Sequence, residues 1–461
     1  MKIKRLIAVV LSCMLCLVSL PAMFTVNAVS EETESVIWDG TADSFWYNDT
    51  DIEIHISTAE ELAGFANLVN SGNDFEGKII YLENSLYLND ISSVENWGET
   101  PPENFWVPIG NGSETENNFK GIFDGKGNNI YGIYTSGYKW GGLFGCATNN
   151  SIIRNLNIKE GYISGSSYVG GVVAFASEGV KIINCSNRSN IYSNGTGNFI
   201  GAGGITGRGG IIKKCKNYGL ISSYAGFDKY KIAESWAGGI SGGACVMISE
   251  CCNFGNVKAD VTTLNILNPK NRLAIAGGIA GCYYNTAKIE NCYNFGAVQS
   301  YTASGGICGQ CGISTIDSCY NVGCVESSVY IGGILGSSND TTIINSYYIN
   351  SIATSAIGNI EDIIISPNKS TMQGENFAKT LGKAFVYVEG DFPKLLWEVN
   401  GYIIGDINND WEINVADLVM LQKWLVCSGE LNNWKAGDLC KDEKIDIFDL
   451  VMMRRLLVSS I

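Results

Sequence analysis

Short apolar clusters recur along most of this chain at intervals near 30 residues, separated by glycine, asparagine and serine. A Gly-Gly-apolar unit begins at Gly141, Gly170, Gly203, Gly238, Gly277, Gly305 and Gly332. A second unit, Ile-x-x-Cys-x-Asn, follows at a near-constant offset. Its cysteines are Cys185, Cys215, Cys251, Cys292 and Cys319, and its asparagines are Asn187, Asn217, Asn253, Asn294 and Asn321. Leu156 and Ser346 occupy the cysteine position at the two ends of the series. The apolar clusters are short and β-branched, and none carries a helical period. A unit this small cannot bury its own face, so copies must stack. The expected fold is mainly β: a right-handed parallel β-helix, with three short strands per turn and neighbouring turns ~4.8 Å apart. Glycines are expected to supply positive φ at its corners. Long units, such as the one containing 262–272, carry loop insertions.

Stacking places equivalent residues in columns. The cysteine column reads as inward-facing thiols behaving as small hydrophobes. The asparagine column reads as turn amides hydrogen-bonded along the stack. Between them an outward position holds Ser186, Lys216, Cys252, Tyr293, Tyr320 and Tyr347. Tyr293, Tyr320 and Tyr347 are carbohydrate-binding candidates, because a strip of aromatic faces can stack on sugar rings. The competing reading is ring stacking between turns, or cover by a neighbouring segment. Cys308-Gly309-Gln310-Cys311 has redox-motif spacing but no βαβ setting, and reads as a turn with incidental thiols.

The ends depart from the repeat. Ser57-Thr58-Ala59-Glu60 resembles a capping box ahead of an amphipathic run to Asn70, an N-terminal capping helix for the open end of the stack. Residues 371–397 leave the pattern, with a short helix expected near 374–381, and cover the far end. At the start, Lys2, Lys4 and Arg5 precede the apolar run 6–20, and Val26-Asn27-Ala28 offers a cleavage site, so 1–28 reads as a secretory signal peptide. The expected organisation is 1–28 signal peptide, 29–136 N-terminal cap and first coils, 137–358 repeat, 359–400 C-terminal cap, and 401–461 a separate small α-helical module.

Composition narrows the functional classes. The 461 residues carry net charge −15, one His, 55 Gly, 7 Pro and 16 Cys. The acidic balance argues against a nucleic-acid binder. One His makes a Ser-His-Asp triad improbable. Catalysis on polysaccharide needs clustered carboxylates, whereas Glu160, Glu178, Asp228, Glu234, Glu250, Asp260, Glu290, Asp317 and Glu326 are scattered over the turns. No catalytic residue is assigned.

The C-terminal module is an internal duplication. Residues 405–426 and 437–458 align without gaps, with 10 identities in 22 positions. Asp406, Asn408, Asp410, Glu412, Asn414 and Asp417 take positions 1, 3, 5, 7, 9 and 12 of a twelve-residue loop. Asp438, Cys440, Asp442, Lys444, Asp446 and Asp449 do so in the second copy. Alternating oxygen ligands at this spacing wrap a hard cation such as Ca²⁺, with position 7 contributing its backbone carbonyl and position 9 often acting through water. Two sites are expected. The second is expected to be weaker, because the thiol of Cys440 replaces an oxygen. Amphipathic helices follow over 418–426 and 450–458.

Two resemblances follow from these motifs. The Gly-Gly-Ile-x-Gly units, with Ser57-Thr58-Ala59-Glu60-Glu61-Leu62-Ala63, Phe75-Glu76-Gly77-Lys78 and Trp106-Val107-Pro108-Ile109-Gly110, resemble GLUG-motif regions of secreted bacterial surface proteins. Residues 405–458 resemble a type I dockerin. That resemblance implies calcium binding, and docking to a cohesin module of a scaffoldin in a cellulosome-type assembly. It also implies cohesin contacts at loop positions 10 and 11 and on the helices: Val415, Ala416, Gln422 and Lys423, mirrored by Ile447, Phe448, Arg454 and Arg455. Trp411 and Glu443 stand where such calcium loops usually have glycine. The expected function is a secreted, extracellular, scaffold-associated protein whose repeat binds plant cell-wall or cell-surface polysaccharide, with no nucleic-acid or membrane partner after signal cleavage. The alternatives are a polysaccharide lyase or glycoside hydrolase, and an adhesin or spacer.

Overall fold

A computed structural model describes residues 36–461 except 112–115, 197–198, 227–232, 262–271, 284–286, 361–365, 432 and 460–461. The expected signal peptide, the expected insertion at 262–271 and Asp228 lie outside the described residues. The chain is mainly β from Glu53 to Tyr348, in parallel sheets of 13, 9, 7 and 6 strands, with helices concentrated at the C-terminus.

The sheets are visited in a fixed order. Ile152–Arg154, Asn157–Lys159, Tyr162–Gly165 and Tyr168–Gly170 lie in the 13-, 9-, 7- and 6-stranded sheets respectively, and Val173–Ile183 then returns to the first. Each strand pairs in parallel with its counterpart one unit later: Ile182 with Ile212, Ile212 with Ile248, Ile248 with Ile289, and Ile289 with Ile316. Each repeat therefore feeds four sheets, where the sequence pattern suggested three strands. The extra strand is the glycine-rich stretch before each Gly-Gly pair, exemplified by Ile200–Gly203. Its small residues mask the alternation that marks a strand.

The repeat glycines do not make the corners. The Gly-Gly pairs lie outside the positive-φ set. They are glycine because neighbouring turns touch there. A Cβ on Gly239 would sit 2.1 Å from the Gly278 carbonyl oxygen and 2.3 Å from Asn253 Cγ. The left-handed corner belongs to the residue before the cysteine column: Asn155, Asn184, Lys214, Glu250, Asn291, Ser318 and Asn345 all have φ between 43° and 54°. Asparagine dominates that column because it tolerates this conformation best after glycine.

Two columns stitch the turns together. Asn187 Nδ2 donates to Asn217 Oδ1 at 2.9 Å, and the chain continues through Asn253, Asn294 and Asn321 at 2.8 Å per step. Each amide also accepts from the backbone N–H two residues on and donates to the carbonyl there, as Asn253 does with Gly255. The cysteines are buried, as expected of small hydrophobes, and they also accept hydrogen bonds. The backbone N–H of Cys185 donates to Cys215 Sγ at 3.4 Å, and the pattern repeats along the column until Ser346 Oγ accepts from Cys319 at 3.1 Å. Burial pushes the Cys215 and Cys292 thiols up, which keeps them neutral. Cys308 and Cys311 lie inside the strand Cys308–Asp317 rather than in a turn, buried, with their sulfurs 2.8 Å apart.

At the N-terminal end, helix α1 (Ala59–Asn70) is capped by Thr58 with Glu61, one residue later than the sequence suggested. Its buried face places Phe65 against Phe75 and Phe119, with ring centroids 4.8 and 5.8 Å apart. At the other end, residues 355–357 bond to the last turn, with Ile334 N–H donating to the Ala356 carbonyl at 3.1 Å. The segment Lys369–Asn400 does not sit over that end. It lies along the outer face of the nine-stranded sheet, where Met372, Phe377, Leu381, Phe392 and Trp397 form one apolar cluster with Cys252, Tyr293 and Tyr320.

Candidate functional site

The proposed sugar-binding strip is corrected by this packing. Tyr293 and Tyr320 are completely buried, and Tyr347 is half-buried against the same segment. The Tyr293 and Tyr320 rings stack 5.1 Å apart. Their hydroxyls are spent inside the protein: Tyr293 donates to Glu398 at 2.9 Å and Tyr320 to the Pro393 carbonyl at 2.5 Å. Outward orientation was legible in the repeat, but cover by residues 73 and 105 positions downstream, Pro393 over Tyr320 and Glu398 over Tyr293, has no local signal. Lys216 closes the cluster with an ion pair to Glu398 at 3.1 Å.

Of the scattered carboxylates, the structure brings Glu290 and Asp317 together as register partners on neighbouring strands. Glu250 pairs with Lys214 at 2.7 Å, Glu290 with Lys288 at 2.5 Å, and Asp317 accepts from the Ser318 hydroxyl. Glu234 is raised by burial, and it lies on a different sheet from these.

The C-terminal loops do assemble. Asp406, Asp417, Asp438 and Asp449 are buried. In the first loop Asp406 Oδ1 and Oδ2 accept from the N–H groups of Asp410 (3.0 Å) and Trp411 (2.9 Å), while Asp417 accepts from Ile407, Asn408 and Asn414. The second loop repeats this: Asp438 accepts from Asp442 and Glu443, and Asp449 from Cys440 and Asp446. These backbone bonds curl each loop around its carboxylates, as a cation site requires. The side chain of Glu412 is turned away and pairs with Lys181 at 2.6 Å, consistent with a position that offers only its carbonyl. Oxygens of Asp438 and Asp442 and the sulfur of Cys440 lie within 4.8 Å of one another.

Electrostatics separate the two loops. Burial pushes the Asp406 carboxyl up to about 7, and the charges of Asp410 and Asp417 add to the rise. A cation would relieve that repulsion. Calcium affinity at the first loop should therefore weaken as pH falls from 8 to 6, because protons compete for Asp406. Titration calorimetry at those two pH values checks this; equal affinity would contradict it. In the second loop, burial and the neighbouring Asp449 and Asp442 push the Cys440 thiol up to about 12. A neutral thiol is a poor partner for Ca²⁺.

Each loop leads into a helix: α2 (Val415–Leu425) after the first and α3 (Ile447–Ser459) after the second. Both start three residues before the apolar periodicity suggested. Asn414 caps α2 by accepting from Ala416 N–H at 2.7 Å, and Asp446 does the same for Phe448. Leu421 and Met453 pack between the helices with Ile407, Leu439 and Leu450. The expected contact residues Val415, Ala416, Lys423, Ile447, Phe448, Arg454 and Arg455 are exposed, and Gln422 is half-buried. Val419, Val451 and Met452 extend the same apolar surface and were missed because they lie inside helical periodicity that reads as core.

Trp411 at loop position 6 has a tertiary explanation. Its φ is +65°, a left-handed conformation that strains a side chain by roughly 1–2 kcal/mol. Its indole N–H donates to Asn155 Oδ1 at 2.6 Å and its ring meets Trp397 at 5.8 Å. With the Lys181–Glu412 pair, it fastens the first loop to the repeat region. Trp411→Gly should leave the loop free to bind calcium while loosening this attachment. Limited proteolysis should then cut near Gly401 at least several-fold faster, and an unchanged rate would refute the role. Nothing in the structure explains Glu443 at the matching position.

Comparisons with known proteins agree with this geometry. Residues 404–458 match the family described as dockerin type I domain. This region is therefore a dockerin, a calcium-binding module that docks to cohesins in cellulosome-type assemblies. No curated protein matches the chain. A solved structure of a "putative immunoglobulin A1 protease" from Bacteroides ovatus is similar at 19% identity, covering 74% of this chain and 92% of that one, with a TM-score of 0.46. No helix among the described residues is long and apolar enough to cross a membrane.

Proposed function

We propose that this chain is a secreted component of a cellulosome-type assembly. Its dockerin plugs into a scaffoldin cohesin with calcium, and its GLUG-like repeat forms a right-handed parallel β-helix that presents a polysaccharide-binding face. The carrying observation is the pair of matching carboxylate loops, each leading into a helix whose first residues are exposed and apolar. Parallel strands in register with the next unit support the β-helix, and parallel crossovers are right-handed in nearly all sheets. Val415 and Ala416 on one copy, and Ile447 and Phe448 on the other, would give two equivalent docking orientations. The test uses the full chain on an immobilised type I cohesin. Charged substitutions in one pair should leave calcium-dependent capture intact, and substitutions in both pairs should abolish it. In parallel, incubation with plant-wall polysaccharides should give retention without released oligosaccharides. Release would instead make the repeat region an enzyme.

A further inference from the structure

The outer face of the seven-stranded sheet carries an aromatic and hydroxyl-lined groove that is separate from the buried tyrosines. Its cavity is about 370 Å³ and is bounded by Tyr138, Tyr162, Tyr192 and Tyr224, with serines between them. The register explains its shape. Tyr192 pairs with Ser164 on one side and Ser222 on the other, so a phenol ring rises between two short side chains. It leans back onto Tyr162, with centroids 4.6 Å apart, and Tyr162 in turn stacks on Tyr134 at 5.5 Å. Tyr162 covers one side of the Tyr192 ring, and the small Ser222 is its neighbour on the strand at the other side. Tyr162 and Tyr192 are half-buried and Tyr224 is exposed. The side-chain hydroxyls of Ser136, Ser166 and Ser222 have no protein hydrogen-bond partner among the described residues.

Chemistry selects the ligand. None of the described lining residues is charged, although the chain carries −15 overall. The adjoining strand sets Lys258 and Asp260 beside Ser222 and Tyr224, but these pair with each other at 3.7 Å, so the groove's edge offers no net counter-charge to an ionic ligand. The groove offers a flat apolar platform bordered by donors and acceptors that are both neutral, a combination suited to a molecule with apolar C–H faces and a hydroxyl rim. We propose that this groove binds a neutral polysaccharide, seating a sugar ring over Ser222 against Tyr192. This rests on the polysaccharide-binding reading above and gives it a site and a ligand class.

The test compares the full-length protein with Tyr192→Ala and with Ser222→Trp. The second variant fills the groove from a half-exposed position without disturbing the ring stack, so it remains informative if loss of Tyr192 unfolds the sheet. Calorimetry or affinity electrophoresis would use neutral cello-, xylo- and manno-oligosaccharides beside oligogalacturonates. The expected result is binding of a neutral chain, weakened about tenfold or more by either variant. Neutral-chain binding that both folded variants retain would overturn the groove and leave the broader reading standing. Binding confined to oligogalacturonates would overturn the ligand class. No binding of any chain by the wild type would overturn both this inference and the polysaccharide reading.

Discussion

Calcium removal should abolish capture of this protein by a type I cohesin. Each loop holds its shape by bending backbone N–H groups around buried carboxylates, and in the first loop Asp406, Asp410 and Asp417 repel one another. Without a divalent cation that repulsion opposes the folded loop, and with one it becomes attraction. The helices that carry Val415 and Ile447 begin inside these loops, so the docking surface loses its anchor when the loops open. With EGTA, retention on immobilised cohesin should fall to background. Asp406→Ala combined with Asp438→Ala should do the same in calcium, and the melting of the repeat region should stay within a few degrees of wild type. Full affinity in chelator would refute the calcium-dependent mechanism. Unfolding of the repeat region by the double variant would show instead that the loops support the whole chain through the Trp411 attachment.

Asn253→Asp should be among the most damaging single-atom changes available. Asn253 is fully buried mid-ladder and donates both to the Gly255 carbonyl and to Asn294 Oδ1, each at 2.8 Å. The aspartate keeps the shape but loses both donors, and turns a carboxylate toward two oxygen acceptors in a site without a cation. Breaking a buried polar network this way costs roughly 3–5 kcal/mol. Burial would raise the aspartate's pKa in the folded state above its unfolded value, so the destabilisation appears above the unfolded pKa and lessens as pH falls. Thermal unfolding should show a large loss at pH 7 that partly recovers near pH 4. A melting temperature equal to wild type at both pH values would refute the ladder's contribution.

Much of this architecture is legible in the chain itself. The fixed spacing of Cys185 to Cys319 and Asn187 to Asn321 specifies columns, because stacking is the only way such short units bury their apolar faces. The two carboxylate loops are legible for a related reason: all the candidate ligands of each lie within twelve residues, so spacing is geometry. Less legible were the roles inside each unit. The Gly-Gly pairs suggested corner conformations, yet they serve close approach between turns. The asparagine-rich position before each cysteine carries the left-handed bend instead. Glycine suits both a left-handed bend and a close approach, so its presence alone does not separate the two roles.

The sequence alone determines the repeat, its parallel stacking register and the duplicated cation loops, because each is written in local spacing. Tertiary structure decides which columns meet solvent. It buries Tyr293 and Tyr320 beneath residues 369–400, leaves Tyr162, Tyr192 and Tyr224 along an open groove, and makes Trp411 an attachment point rather than a misplaced loop residue. The physical reason is common to all three. Exposure depends on which distant segment covers a surface, and that is settled by the sum of apolar burial and hydrogen bonds across the whole chain, which no local pattern records.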